Sequence, residues 1–462
     1  MYEASPETFR QFAGTVASVL PESLRYGTAY ARQWRALQSA TGWADSDLQL
    51  HVARELRRVL MRASEAVPFY SSWDIPTLRT SDPAEVRAAL ESLPLVDKNT
   101  VRSAGAEFRP GGVMGRASRL TTTSGTAGSP LELAVDYAAS AREWAFMQHH
   151  WRRAGMPAGG RRAVLRGQLV HDRRSGNFWY DEPMTRSRIF STPDLSAATV
   201  AQYVAAISDF GADVLHAYPS TALLLADLMR DAGLRSPSLT LVLLGSEAIY
   251  PHERGLLEED FGCPVYSWYG HTEKCVLAYD AEEPGLLSPE WLYGYVELVD
   301  DEGQVIRSPG VPGRIVGTGF LNSATVLVRY ATDDWAQWAV SPEGATLSLA
   351  RLSNIVAHRE RETLLAHDGS GISVTYLHGA HDAALGKVRE MQYVQVAPGQ
   401  VRIDAVMRSG ATEADLLAVQ RVYGERLAGR VDVKVRMVEQ IARSYSGKRQ
   451  LVRTEIHAPD GK

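Results

Sequence analysis

Three successive apolar runs, each ending in a turn and two of them leading into an amphipathic helix, constrain the fold of this chain more than any other feature. ADVLHAYPS (212–220) runs into TALLLADLMRDAGL, SLTLVLLGSEAIYP (238–251) runs into HERGLLEEDFG, and CPVYSWYGHTE (263–273) closes the series. Strands separated by helices pair in parallel and bury both faces, so the pattern predicts an α/β fold with mainly parallel sheets. Ligands in such sheets bind beyond the carboxyl ends of the strands, where these turns lie.

The flanks have other textures. LQLHVARELRRVLMRASEAVPFY (48–70) repeats apolar residues three and four apart with Arg on the opposite face, which predicts helix in the first hundred residues. From about residue 288 the chain turns to strand-like runs broken by Gly and Pro, WLYGYVELVDDEGQVI, GRIVGTGF and TVLVRYATDDWAQW, which predicts a β subdomain. The last hundred residues read as hairpin, helix and strand, a small α+β module in which Thr412 with Asp415 caps the helix start and Gly429 its end.

Composition narrows the function classes. A chain of 462 residues, 45% hydrophobic and 22% charged, is neither disordered nor fibrous and is large enough for two or three domains. With 49 basic against 54 acidic residues, its net charge of −5 argues against a protein built to neutralise nucleic acid or to lie on an anionic membrane. Only six basic residues are Lys (98, 274, 387, 434, 448 and 462), so a Lys inside a motif is informative. Cys263 and Cys275 are too few for a disulfide framework, and their surroundings read as strand and helix start. The amino terminus lacks a signal-peptide pattern and no window suits a membrane helix, so the expected location is cytoplasmic.

Four segments carry chemistry. Thr121 to Leu131 (TTTSGTAGSPL) gathers hydroxyls and glycines whose donors suit a loop over phosphates; no Gly-Lys-Ser/Thr follows, and a flexible hairpin is the plain alternative. Trp268 to Glu273 (WYGHTE) follows a strand and offers an aromatic, a tight exit, a hydroxyl and a carboxylate; a helix capped at His271 or Thr272 needs the same residue types. Val328 to Ala336 (VRYATDDWA) supplies a strand-borne Asp able to accept ribose hydroxyls, and Ser444 to Arg449 (SYSGKR) supplies a Lys on a Gly/Ser loop. Either of these last two also fits an ordinary surface turn.

In this order the segments resemble the adenylate-forming superfamily that includes acyl-CoA ligases, and within it the branch of phenylacetate-CoA ligases and CapK-like proteins. The likeness spans residues 90–455. Ser124 to Pro130 resembles the family's Ser-Gly-Thr-Thr-Gly-Lys-Pro loop with Ala127 and Ser129 substituted; Gly245-Ser246-Glu247 resembles its Gly-Glu element; and Tyr269 to Glu273 matches Tyr-Gly-x-Thr-Glu fully. Arg329 to Asp334 resembles Arg-Tyr-x-Thr-Gly-Asp with Asp333 for Gly, His358-Arg359 stands for the hinge Gly-Arg with Glu360 or Glu362 beside it, and Ser444 to Lys448 ends the series.

The resemblance implies a large domain over residues 1–357, a mobile cap over 358–462, and two half-reactions. A carboxylate attacks the α-phosphorus of ATP to give an acyl-adenylate and pyrophosphate, and CoA, or else an amine, then displaces AMP. It makes Lys448, Glu273 and Thr272 catalytic, with Mg²⁺ on Glu273. It assigns nucleotide binding to Ser124, Gly125, Thr126, Gly128, Gly245, Ser246, Glu247, Tyr269, Gly270, Asp334 and Arg359. The departures at Ala127, Ser129, Asp333 and His358 keep a non-catalytic nucleotide-binding relative as the rival. Residues beside the motifs, His216, Tyr218, Trp268, Trp144, Met147 and His150, are candidates for a pocket taking an aryl or medium apolar acid, although such side chains more often pack a core. Arg152-Arg153 and Arg161-Arg162 read as a solvated charged face, with a CoA phosphate site as the alternative. Nucleic acid and membrane are not expected partners; a homodimer is compatible with the sequence.

Overall fold

The structure is a computed structural model that describes residues 14, 20–110, 118–122, 131–168, 170, 177–280, 283, 285–342, 346–356, 363–369, 371–373, 385, 387–427, 429–443 and 451–456. The predicted helix near the amino terminus spans Asp45–Ala66 and buries Val52, Ala53, Leu56, Val59, Leu60 and Ala63, one stripe at helical spacing. It stops where Pro68 forces Val67 into extended backbone (φ −108°, ψ 113°).

The strands, in chain order, begin with β1 (Ser118–Thr122) and β2 (Glu132–Asp136), which form an antiparallel pair. The phosphate-loop candidates Ser124, Gly125, Thr126 and Gly128 fall between them, outside the described residues. Next come β3 (Arg162–Leu165), β4 (Trp179–Glu182), β5 (Ser187–Phe190), β6 (Val214–Ala217), β7 (Leu241–Gly245), β8 (Val265–Gly270), β9 (Leu277–Asp280), β10 (Leu287–Pro289), β11 (Gly294–Val299), β12 (Pro312–Gly319), β13 (Tyr330–Val340) and β14 (Arg351–Val356). These twelve form one sheet in the order β11-β12-β13-β14-β10-β9-β8-β7-β6-β3-β5-β4.

Strands β5, β3, β6, β7 and β8 run parallel, as the repeating apolar runs require. Helices Val200–Phe210, Pro219–Asp231 and Pro251–Phe261 cover one face through Leu215, Ala217, Val242 and Leu244. Helix Tyr137–Arg153 covers the other through Trp151 against Val214, Leu241 and Leu243. The sheet turns antiparallel at the β8–β9 hairpin, and the strands expected after about residue 288 continue it. A four-stranded sheet of β17 (Val388–Ala397), β18 (Gln400–Met407), β19 (Asp432–Met437) and β20 (Val452–Thr454) packs with helix Glu413–Leu427 to form the smaller carboxyl-terminal unit; the short pair β15 (Thr363–Leu365) and β16 (Gly371–Ser373) precedes it. Thr412 and Asp415 form the expected reciprocal cap, with Thr412 N and Oγ1 each 2.8 Å from the Asp415 carboxylate, and Gly429 sits at φ 72°.

Arg329 locks the antiparallel half. It is 3% exposed and pairs with Glu297 at 2.9 Å, while Nη1 donates to the carbonyls of Leu93 (2.6 Å) and Glu91 (3.0 Å). Removing one partner strands the other charge in the core, so Arg329→Met is expected to cost about 3–5 kcal/mol in denaturant unfolding. Arg58→Met, which breaks a surface pair with Glu55, should cost about 1 kcal/mol or less.

Candidate active site

The second motif occupies the sheet's change of direction. Gly270 ends β8 opposite Leu277 of β9, and residues 271–276 make the turn between them. No helix starts at His271 or Thr272, and Cys275 sits before a strand, not at the helix start that its sequence suggested. Capping residues and turn residues are the same types, and pairing of β8 with β9 decides between them.

Within this turn Glu273 is 8% exposed and held from two sides, by the Tyr330 hydroxyl on Oε1 (2.9 Å) and by His271 Nδ1 on Oε2 (3.1 Å). Burial pushes its carboxyl up, but the hydrogen bond and charge of His271 and the Tyr330 hydroxyl outweigh it and hold the group down at about 2 against an ordinary 4.5. Glu273 is thus a buried carboxylate that stays charged at neutral pH. Because the folded value is depressed, its contribution to stability is complete above the unfolded value and fades as pH falls from about 4.5 to about 2. Acid titration of unfolding free energy should show wild type losing on the order of 3 kcal/mol more than Glu273→Gln across that window.

Asp334 arrives from the other end of the sequence. On β13 three residues, 332–334, face the single Ile315 of β12, a bulge between the Arg314–Trp335 and Val316–Ala331 pairs. Thr332 ties it down, donating from Oγ1 to the Ile315 carbonyl (2.8 Å) and accepting from Asp334 N (3.2 Å). The bulge aims Asp334 at Tyr269, whose hydroxyl donates to Oδ2 at 2.7 Å. Asp333, where the resembling motif has Gly, does not have positive φ, and its side chain lies 3.9 Å from Lys98 Nζ.

Gly245 ends β7 beside Trp268 of β8, and a Cβ there would meet the indole at 2.6 Å. Gly245→Ala is expected to cost about 1–3 kcal/mol in thermal or denaturant unfolding, since the ring is packed against Trp151 and His216. The next residue, Ser246, has φ 69° and accepts from Arg166 Nη2 at 2.5 Å; Glu247 Oε2 accepts from Ser220 N (3.0 Å) at the start of helix Pro219–Asp231. Arg443, from the carboxyl-terminal unit, reaches the same place, donating to Ser220 Oγ (2.7 Å) and Glu390 (2.5 Å). Lys448, Arg359, His358 and the acidic hinge partners Glu360 and Glu362 lie outside the described residues.

Of the pocket candidates, His216, Tyr218, Trp268 and Trp144 share one cluster with Trp151, and Met147 packs on it. His150 stands apart, stacked on Tyr279 at 4.0 Å with Nε2 3.2 Å from Glu290. The two arginine pairs are not one solvated face. Arg162 is 4% exposed between Trp144 and Trp151, and Arg152 is half-buried and pairs with Glu22 (2.7 Å); Arg161 and Arg153 are exposed, Arg153 lying over Tyr279. Alternation along β3 explains this, because Arg161 precedes the strand and Arg162 begins it. His271, Tyr330 and Arg166 carried no functional role in the sequence reading. Tyr330 and His271 sit inside the quoted motifs, and that position was the available signal for them.

No protein-family model matches the sequence, and no curated protein does. Among solved structures the chain is similar to 2-hydroxyisobutyryl-CoA ligase in its postadenylation state with a bound acyl-AMP, at 18% identity and TM-score 0.65 over 87% of this chain and 89% of that one. A second complex of that ligase in the same state gives 19% and 0.63 over the same shares. Its thioesterification state, with acyl-AMP and CoA, gives 19% and 0.51, again over 87% and 89%. The chain therefore has the fold of adenylate-forming ligases. Among the described residues no helix is long and apolar enough to cross a membrane.

Proposed function

We propose that this protein is an AMP-forming ligase that activates a carboxylic acid with ATP and passes the acyl group to CoA. The observation that carries the reading is the hydrogen bond from Tyr269 to Asp334, 65 residues away, on the same hairpin that holds an ionised Glu273. Tyr269 and Glu273 lie at the carboxyl end of parallel strand β8, in a fold shared with an acyl-AMP-binding ligase.

In this reading Asp334 accepts the ribose hydroxyls, Tyr269 lies against adenine, and the Ser124 to Gly128 loop and Thr272 steady the phosphates. Lys448 meets the negative charge that develops as the carboxylate attacks phosphorus. Glu273 suits Mg²⁺, a hard cation that binds through one or two carboxylates plus substrate phosphates. It is ionised, and it is not part of a cluster of three or more His, Cys, Asp or Glu that could hold a metal by itself, of which the described residues contain none. When bound, the ion would offset phosphate charge.

The motif order supports the phenylacetate-CoA ligase and CapK-like branch, and the tryptophans around His216 support an aryl acid. A boundary near residue 357, between a large domain (1–357) and a cap (358–462), is supported by the last strand of the large sheet ending at Val356. Two free, buried cysteines support a reducing, cytoplasmic setting.

The test is pyrophosphate release from Mg-ATP with pooled aryl and aliphatic acids, with and without CoA. Acid-dependent release, followed by CoA-dependent AMP release, is the expected result. Adenylation without a CoA effect would move the acceptor to an amine, and no acid-dependent release would leave a nucleotide-binding relative.

A further inference from the structure

Among the described residues, two arginines in the aromatic cluster have no ion-pair partner, although the charge of Glu247 is felt at Arg166. Arg162 begins β3 and Arg166 follows its last residue, so alternation puts both on the sheet face covered by helix Tyr137–Arg153. His216 of the adjacent β6 lies between them, with Nδ1 3.4 Å from Arg162 and Nε2 3.1 Å from Arg166. Arg162 stacks between Trp144 and Trp151, each 4.9 Å away, and donates to Ser187 Oγ (2.9 Å) and the Thr185 carbonyl (3.4 Å). Arg166 lies over Tyr218 and Trp268, donates to Ser246, and has a buried Nε with no partner.

Among the described residues no carboxylate lies within ion-pair distance of either guanidinium, in contrast to buried Arg329 with Glu297 and Arg254 with Asp280. His216 does not replace one. Burial and the two arginine charges hold its imidazole neutral, and a neutral ring accepts through only one nitrogen. His216 can therefore accept from Arg162 or from Arg166 but not from both. Two guanidinium charges drawn out of water around one neutral acceptor are unfavourable unless an anion completes the site. Arg162 is sealed inside, whereas Arg166 is half-buried and its contact with Ser246 is exposed.

We propose that Arg166, backed by Arg162 and His216, binds a second anionic group on the acid substrate, so that the preferred substrates are planar acids with a carboxylate to be activated and another carboxylate or comparable oxyanion. This rests on the ligase reading and gives it a substrate class. The aromatic walls take the body of the acid, and the arginine fork takes the distal oxyanion in two parallel hydrogen bonds.

The test compares acids of similar size, m- and p-toluate with isophthalate and terephthalate, and hexanoate with adipate, by ATP–pyrophosphate exchange with the full chain. Wild type should favour diacids by about tenfold or more in kcat/KM, and Arg166→Met should lose about a hundredfold on diacids and much less on monoacids. Arg166→Lys keeps a charge without the fork, serves if the Met variant does not fold, and should fall between them on diacids alone. A wild-type preference for monoacids overturns the proposal. So does an equal loss on both classes, which would place the reactive carboxylate at Arg166, or a loss of AMP affinity in the variant, which would place a nucleotide phosphate there. If no acid supports exchange, the ligase reading fails, and tryptophan-fluorescence titration still decides the anion site. Diacid binding that exceeds monoacid binding and vanishes in Arg166→Met supports the site; equal binding overturns it.

Discussion

Glu273→Gln is expected to slow acyl-adenylate formation by about a hundredfold or more, measured as single-turnover pyrophosphate release, with little change in AMP affinity. The amide matches the carboxylate in shape, so any loss reports charge. Glu273 is buried yet ionised because His271 and Tyr330 both hydrogen-bond its oxygens. A charge kept at that cost belongs where phosphate charge must be offset, and AMP without pyrophosphate makes little use of it. An unchanged rate would remove Glu273 from the reaction and leave it as a strut between the β8–β9 turn and β13.

Asp334→Ala is expected to raise KM for ATP by about 30- to 100-fold, with a much smaller effect on KM for the acid. Tyr269 fixes the orientation of the carboxylate. Tyr269→Phe should raise KM for ATP by a smaller factor, and the double variant should be less than additive, since the two act through one contact. Equal effects on both substrates would place Asp334 in general folding of the bulge.

The parallel half of the sheet was legible because buried strands and covering helices leave different periods in the sequence, and the stripe of Asp45–Ala66 was legible for the same reason. Motif order alone singled out Tyr269, Glu273 and Asp334 as candidates. The contact of Tyr269 with Asp334 depends on a three-against-one bulge at Ile315, which no local pattern announces. Thr272 and Cys275 were ambiguous because helix caps and hairpin turns draw on the same residues. Arg162 was misread because paired arginines near glycine usually face water; only the register of β3 against β6 shows that it points inward. Met147 and Trp144 share a helix with His150, yet His150 serves Glu290 instead of the aromatic cluster, a distinction set by helix rotation.

The most direct test of the account is acid-dependent ATP–pyrophosphate exchange by wild type against Lys448→Ala, with AMP binding followed in parallel. Exchange that depends on one class of acid and falls about a hundredfold or more in the variant, with AMP still bound, is the predicted result. Wild-type exchange no greater than the variant's with every acid offered would contradict adenylation and leave a nucleotide-binding protein on a ligase fold.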